Sequence, residues 1–354
     1  MFGPKNRNYV GIDIGADSIK IVCLEKEEGR LVLRRSIVEK STGDVFDGYK
    51  ILKTTELGAR LKNILKNHHI QAQEVACALP SASVFIKKFI VPMTVSKNKL
   101  NNFIAEEAKK CIPYDVNAVN YDCQVLGIAG SLQEMDVLVV AAKRDVVASY
   151  IATFEKAGLN LGVIDVTSFA QERAFSYNYS EVDDQRAVII SVGHRSTELI
   201  SMYQGRAHAY IDCEVGGKLY AESLTEVFQI PIREAEAVFR GEIANVYDKN
   251  LYQQTIDNVT KHIITTLIDR LKKQRLDVPF ESIEAVYLNG GGAVTNNLLY
   301  EFSVKSNLAS LQMYAFKNIP SAKYEGAMAE PDKKMSAFMG TAVGLALRLA
   351  SEEE

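Results

Sequence analysis

The chain writes one opening twice. Residues 9–39, YVGIDIGADSIKIVCLEKEEGRLVLRRSIVE, and residues 187–215, AVIISVGHRSTELISMYQGRAHAYIDCEV, each read as strand, glycine bend, strand, tight turn, strand. Gly15 and Gly193 stand 178 positions apart, as do Ser18 and Ser196, whereas the turn glycines Gly29 and Gly205 stand 176 apart. A self-similar unit at such a distance predicts two related domains facing each other. The copies differ in charge: Asp13 precedes the first bend, and Ser191 holds the equivalent place before the second.

Between and after the copies, strands alternate with helical periodicity, which predicts an α/β architecture. A helix is expected over 54–67 and a buried strand over 75–79. Residues 82–165 have a different texture, a β–α–β–β–α–β-like order that suits an inserted subdomain. In the second half, Gly216–Gly217 leads into a helix over about 218–228, and the longest helix runs from about 250 to 273. Ile256, Val259, Ile263, Leu267 and Leu271 form its apolar stripe. The strand EAVYL (284–288) ends at Asn289 and three glycines, and the last helix, about 334–349, is rich in small residues and so expected to be buried.

Composition removes several classes. A chain of 354 residues with 47% hydrophobic and 24% charged residues is a folded protein of two or three units. A net charge of −3 supplies no general field for nucleic acid or an anionic membrane. No run approaches the ~20 apolar residues that span a bilayer. The start, MFGPKNRNY, has no secretory apolar core, so a cytoplasmic protein is expected. The five cysteines form no C-x-x-C pair, and the histidines form no H-E-x-x-H motif, so neither a redox nor a metal centre is expected.

The glycine bends suggest phosphate chemistry. Without a Cβ, backbone N–H groups come close to an anion, and two such bends can clamp a polyphosphate from both sides. Asp13 is suited to hold Mg²⁺ through water, because that cation keeps much of its hydration shell. Lys20 offers a positive charge. The strand, triple glycine and helix start in LNGGGAVTNNLL (288–299) suit phosphate or nucleoside contact.

Taken together, these pieces resemble the actin/Hsp70/sugar-kinase superfamily, and within it the PilM-like family of actin-like type IV pilus assembly proteins, itself similar to FtsA. The stretches that carry this best are EEAKKCIPYDVNAVNYDCQVLG (106–127), VLVVAAKRDVVASYIATFEKAGL (137–159) and VIDVTSFAQERAF (163–175). The resemblance implies an actin-like ATPase fold: two ribonuclease-H-like domains with a small inserted α+β subdomain of FtsA/PilM type. The division it implies is 1–81 for subdomain 1A, 82–165 for the inserted 1C, 166–184 for the return to domain 1, 185–206 with 284–330 for 2A, 207–283 for 2B, and 331–354 for a C-terminal helix on domain 1. It also implies ATP or ADP with Mg²⁺ between the domains. The matching positions are Asp13, Gly15, Ser18, Lys20, Gly193, Ser196, Gly216, Gly217, Glu236, Arg240, Gly290, Gly291 and Gly292, with Asp13 on the metal. The implied partner is the N-terminal cytoplasmic peptide of a PilN-like membrane protein, docking in a groove with residues ~82–130 as one wall. Through it a cytoplasmic ring or other homo-oligomer would join the inner-membrane pilus alignment complex, without nucleic acid and without direct membrane insertion.

Four positions depart from the family pattern: Ala16 for Ser, Ser191 for Asp, Ala221 for Thr and Phe239 for Lys, with Arg240 beside the last. Phosphoryl transfer depends on positioning and charge stabilisation, so loss of the second acid should hurt hydrolysis more than binding. The expectation is a scaffold that is at most a weak ATPase, with no catalytic residue named. The alternatives are a nucleotide-free degenerate scaffold, a type II secretion equivalent, or a small-molecule kinase of the same superfamily. The ending RLASEEE lacks the basic amphipathic helix of a membrane-tethered FtsA-like filament. Asp17 and His194 are expected to face solvent, and Tyr114 to lie in a core.

Overall fold

Both copies of the repeated opening form antiparallel meanders, β1 (Asn8–Ile14), β2 (Ser18–Glu27) and β3 (Arg30–Lys40), then β11 (Ala187–Val192), β12 (Thr197–Tyr203) and β13 (Arg206–Cys213). The computed structural model describes residues 7–41, 45–72, 74–128, 133–244, 247–273, 279–294, 297–322 and 331–352. It divides into two units, 1–41 with 72–78 and 168–354, and 42–71 with 79–167.

In the first unit the copies share strand order as well as hairpin. β1 pairs parallel with β6 (Val75–Leu79), giving β6-β1-β2-β3. β11 pairs parallel with β14 (Ala285–Asn289), giving β14-β11-β12-β13, with β15 (Ala309–Gln312) outside β14. The slip from 178 to 176 also has a physical cause. Both second turns have two successive positive φ angles, 50° and 81° at Glu28 and Gly29, 53° and 69° at Gln204 and Gly205. That is the type I′ hairpin turn, whose twist matches its strands. β2 reaches it two residues later than β12 does, and two residues are one pleat period, so side chains keep their faces.

Helices cover both faces of the second sheet. Phe175 of α4 (Thr167–Asn178) and Tyr179 just beyond it pack edge-on against Tyr287 of β14, at centroid distances of 4.8 and 5.1 Å. The opposite face holds Val188, Ile190, Val286 and Leu288 against α5 (Lys218–Phe228), α7 (Lys249–Lys273) and α8 (Leu298–Ser306), and α6 (Ile232–Phe239) joins the same cluster. Every residue of the expected α7 stripe is buried.

The C-terminal segment differs from one continuous helix: α9 (Lys333–Ser336) and α10 (Gly340–Ser351) are separate, and Glu353 and Glu354 lie outside the described residues. The small residues of α10 permit contact at backbone distance. A Cβ on Gly11 of β1 would lie 2.1 Å from the Ala342 carbonyl oxygen, and one on Gly344 would lie 1.7 Å from that of Ala170.

The second unit contains β4 (Phe46–Asp47), β5 (Lys50–Ile51) and α1 (Thr54–Asn67), which packs on α3 (Arg144–Ala157). Its sheet has the order β7-β9-β8, from β7 (Val84–Pro92), β8 (Val119–Ile128) and β9 (Glu134–Lys143). α2 (Lys97–Cys111) packs on one face around Val91, Ile104, Ala108, Val137 and Val139, and β10 (Leu161–Val166) follows α3. Tyr114 is 48% exposed rather than in a core. Among the described residues no helix is long and apolar enough to cross a membrane.

Candidate functional site

The two glycine bends have the same local geometry. Gly15 N–H donates to the Ser18 carbonyl at 3.0 Å, and Gly193 N–H to that of Ser196 at 3.0 Å. In each, a Cβ would sit 2.8 Å from the acceptor oxygen. In the first copy Asp13 and Lys20 are opposite residues of β1 and β2, and the Lys20 ammonium lies 3.2 Å from the Asp13 carboxylate, over Gly15. The charge of Asp13 is therefore compensated within its own hairpin.

The second copy moves its acid. Ser191 pairs across the sheet with Glu198 of β12, Glu198 pairs with Asp212 of β13, and on the other side Ser191 pairs with Asn289 of β14. Opposite residues point to the same face, so one polar row runs toward α4. Gln171 of α4 closes it: its amide nitrogen donates to Ser191 Oγ at 2.8 Å and to Glu198 Oε2 at 3.1 Å, and its oxygen accepts from Asn289 Nδ2 at 3.0 Å. Glu198 is 8% exposed. Sequence reading missed Glu198, Gln171 and Asn289. The cue was present, since a hairpin with its bend at Gly193–Ser196 places residue 198 opposite residue 191. Asp212 ends the row with Oδ1 buried and unpartnered among the described residues, and burial pushes its pKa up to about 6.

Gly216, Gly217 and the triple glycine gather around the second bend. Gly217 N–H donates to the Gly193 carbonyl at 2.9 Å and Lys218 N–H to that of His194 at 2.8 Å. The first amides of α5 are thus spent on the bend, and a Cβ on Gly216 would lie 2.7 Å from the His194 oxygen. Gly290, with φ 87°, approaches the end of β11 so closely that a Cβ would lie 2.5 Å from the Val192 oxygen. A Cβ on Gly292 would lie 2.3 Å from Val192 Cγ1, and one on Gly291 would lie 3.2 Å from the Phe338 ring.

A charged cluster joins the first copy to the end of α6. Arg240, capping the C-terminus of α6, reaches Asp17 of the first bend at 3.2 Å, Glu236 at 3.6 Å and Glu242 at 2.8 Å, and Lys40 at the end of β3 pairs with Glu242. Asp17 keeps its side chain 42% exposed, as expected, and is held there by a guanidinium. His194 of the second bend is half-buried, which pushes its pKa down, while the nearby Asp17 and Glu236 carboxylates pull it up. Asp17 of the first bend thus acts electrostatically on His194 of the second. Phe239 has turned inward and stacks on Tyr220 at 4.6 Å, so it contributes to the core under α5 and α6.

Residues 11–350 match the family described as "Type IV pilus assembly protein PilM". A solved PilM-PilN type IV pilus biogenesis complex superposes with a TM-score of 0.82 at 21% identity, covering 96% of this chain and 97% of that one. The ethanolamine utilization protein EutJ from Carboxydothermus hydrogenoformans gives 0.56 at 15% identity, covering 98% and 90%. MreB 5 of Spiroplasma citri bound to AMPPNP gives 0.53 at 12% identity, covering 99% and 98%. The chain has the actin-like ATPase fold of these neighbours.

Proposed function

The chain belongs to the PilM family of type IV pilus assembly proteins, and from that premise we propose that it is an actin-like scaffold binding the N-terminal cytoplasmic peptide of a PilN-like membrane protein. The observation that carries this is the likeness to the PilM-PilN complex over nearly both whole chains. Such a peptide would tie the protein to the inner membrane and to the pilus alignment complex. The outer strand β7 supports a docking role in the second unit. It pairs only with β9 among the described residues; Ile90 near its end is 56% exposed and Met93 just beyond it 46%. An outer strand offers unpaired backbone groups to an extended peptide, with alternate side chains giving selectivity.

We further propose that ADP or ATP lies between the two bends, as AMPPNP is bound by the MreB 5 neighbour. Asp13, Gly15, Ser18 and Lys20 would flank the phosphates on one side, with Gly193 and Ser196 on the other. Glu236 and Arg240 would border the nucleotide from the end of α6, and Gly290, Gly291 and Gly292 would lie toward the nucleoside. Gly216 and Gly217 would act by seating α5 against the second bend. The fit to Mg²⁺ is acceptable in its donor set: Asp13 on the first hairpin, with phosphate oxygens and water completing the shell. The occupied carboxylate and amide around Ser191 favour retention of nucleotide over its hydrolysis. One observation favours the nucleotide-free scaffold as second reading: Lys20 beside the first bend and Arg240 at the end of α6 already have carboxylate partners.

Calorimetry with a PilN-like N-terminal peptide, with and without Mg-ATP, tests both. Saturable heat from peptide in either condition is expected. No heat in either removes the scaffold reading, and equal heat in both makes nucleotide dispensable for the peptide.

A further inference from the structure

The charged cluster has the geometry of a closed circuit. On the first sheet, Lys40 sits opposite Ser18, and Ser41 N–H donates to the Asp17 carbonyl at 2.7 Å, so Asp17 and Lys40 present their charges from one rigid edge. On α6, the chain ends in a paired C-terminal cap. Glu242 N–H donates to the Ala237 carbonyl at 2.9 Å, Gly241 N–H donates to that of Val238 at 3.0 Å, and Gly241 has φ 70°. This is the Schellman arrangement, which needs a left-handed residue and favours glycine. It folds Glu242 back beside Arg240. Two ion pairs then cross from one edge to the other, Asp17 to Arg240 and Lys40 to Glu242, and Arg240 Nε bonds Glu242 at 2.8 Å. Lys40 and Arg240 hold the Glu242 carboxyl below the usual carboxylate range.

An isolated exposed ion pair contributes little, because side-chain entropy and solvent offset the Coulomb gain. Here both sides are fixed by backbone hydrogen bonds, and the three guanidinium nitrogens of Arg240 each meet a different carboxylate. Such a fork is ordered by its partners in a way an ammonium is not. The five charges Asp17, Lys40, Glu236, Arg240 and Glu242 leave the cluster with a net charge of −1. An arriving polyanion therefore meets cations whose charge is already answered.

We propose that Asp17–Arg240 and Lys40–Glu242 form an ion-pair latch that fastens the first hairpin edge to the end of α6, and that a polyphosphate opens it by competing for Arg240 and Lys40. The second half rests on the nucleotide reading given above; the first half does not. The latch lowers apparent ligand affinity by the fraction of molecules in which it is open. Removing one carboxylate breaks one of the two crossing pairs, lowers that penalty and leaves both cations in place.

Hydrogen exchange on the full chain tests the fastening without any ligand. In Asp17→Asn, and in the wild type moved from about 0.05 to 0.5 M salt, where screening shortens from about 14 to 4 Å, exchange should rise about fivefold together in 14–18 and 236–242. The surface variant Lys109→Gln, in the other unit, should leave both segments unchanged. A rise at 14–18 with none at 236–242 overturns the latch. Calorimetry with ADP and with inorganic tripolyphosphate tests release: Asp17→Asn and Glu242→Gln should each bind about threefold to fivefold more tightly than wild type. Equal affinities overturn the release mechanism while leaving nucleotide binding intact. Absence of ADP binding in all three proteins, with the coupled exchange preserved, supports the latch and counts against the nucleotide reading.

Discussion

Replacing Gln171 with leucine isolates the polar row from everything else that holds α4 in place. The two side chains are close in volume, so little cavity is created, but three hydrogen bonds of 2.8, 3.1 and 3.0 Å disappear together. Each leaves a buried group without its partner, at about 1–3 kcal/mol apiece and toward the upper end for a carboxylate. Ser191 has a hydroxyl that can rotate toward another acceptor, and Glu198 keeps a further interaction, so the sum falls at about 4 kcal/mol rather than at the maximum. In a domain of this size each kcal/mol moves the midpoint by roughly 2–4 °C. Gln171→Leu should therefore melt about 8–16 °C below wild type in differential scanning calorimetry. Gln171→Glu should fall at least as far, because it sets a second acceptor against Glu198 where a donor is needed. A drop under about 3 °C for Gln171→Leu would refute the reasoning, since the row would then be satisfied without the amide.

Two further outcomes follow from packing and titration. Gly344→Ala forces a methyl group to within 1.7 Å of the Ala170 carbonyl, backbone against backbone. It should lose about 3 kcal/mol or more in urea unfolding, against a gain of under 1 from helix propensity; stability equal to wild type would show that α10 shifts freely. Asp212 binds its proton more tightly in the folded chain, at about 6 against an ordinary 3.8. Its contribution is then unfavourable above pH 6 and vanishes as pH falls through 6 toward 4. Asp212→Asn should stabilise by about 2–3 kcal/mol at pH 7.5 and by little near pH 4, and a pH-independent difference in urea midpoint would sink the assignment.

The repeat was legible because a glycine bend between apolar strands has few other uses, and its strand pairing follows from turn chemistry. The order β7–α2–β8–β9–α3–β10 was legible for the same local reasons. What escaped was every contact made at a distance. Nothing in GGKLY shows that the Gly217 and Lys218 amides will be taken by residues 193 and 194. Phe239 and Arg240 are adjacent in sequence, yet the first stacks into the core and the second crosses to Asp17, a division set by helical phase at the end of α6. The break between α9 and α10 was equally hidden, because it rests on Gly290 N–H bonding the Ala337 carbonyl at 2.7 Å.

The unequal charge of the two copies then has a consistent physical account. In the first, an acid and a cation face each other across β1 and β2, and the pair sits 14–15% exposed beside its bend. In the second, the acid stands one strand over at Glu198, where the Gln171 amide of α4 donates to it. An amide donor brings no opposite charge of its own, so an ionised Glu198 would leave the second sheet more negative than the first. A polyphosphate approaching both would be repelled from the second sheet unless a divalent cation came with it. Magnesium dependence of ADP affinity, weakened in Glu198→Gln, would bear this out. Affinity that is high without magnesium and unchanged in Glu198→Gln would mean that the buried acid serves only the fold.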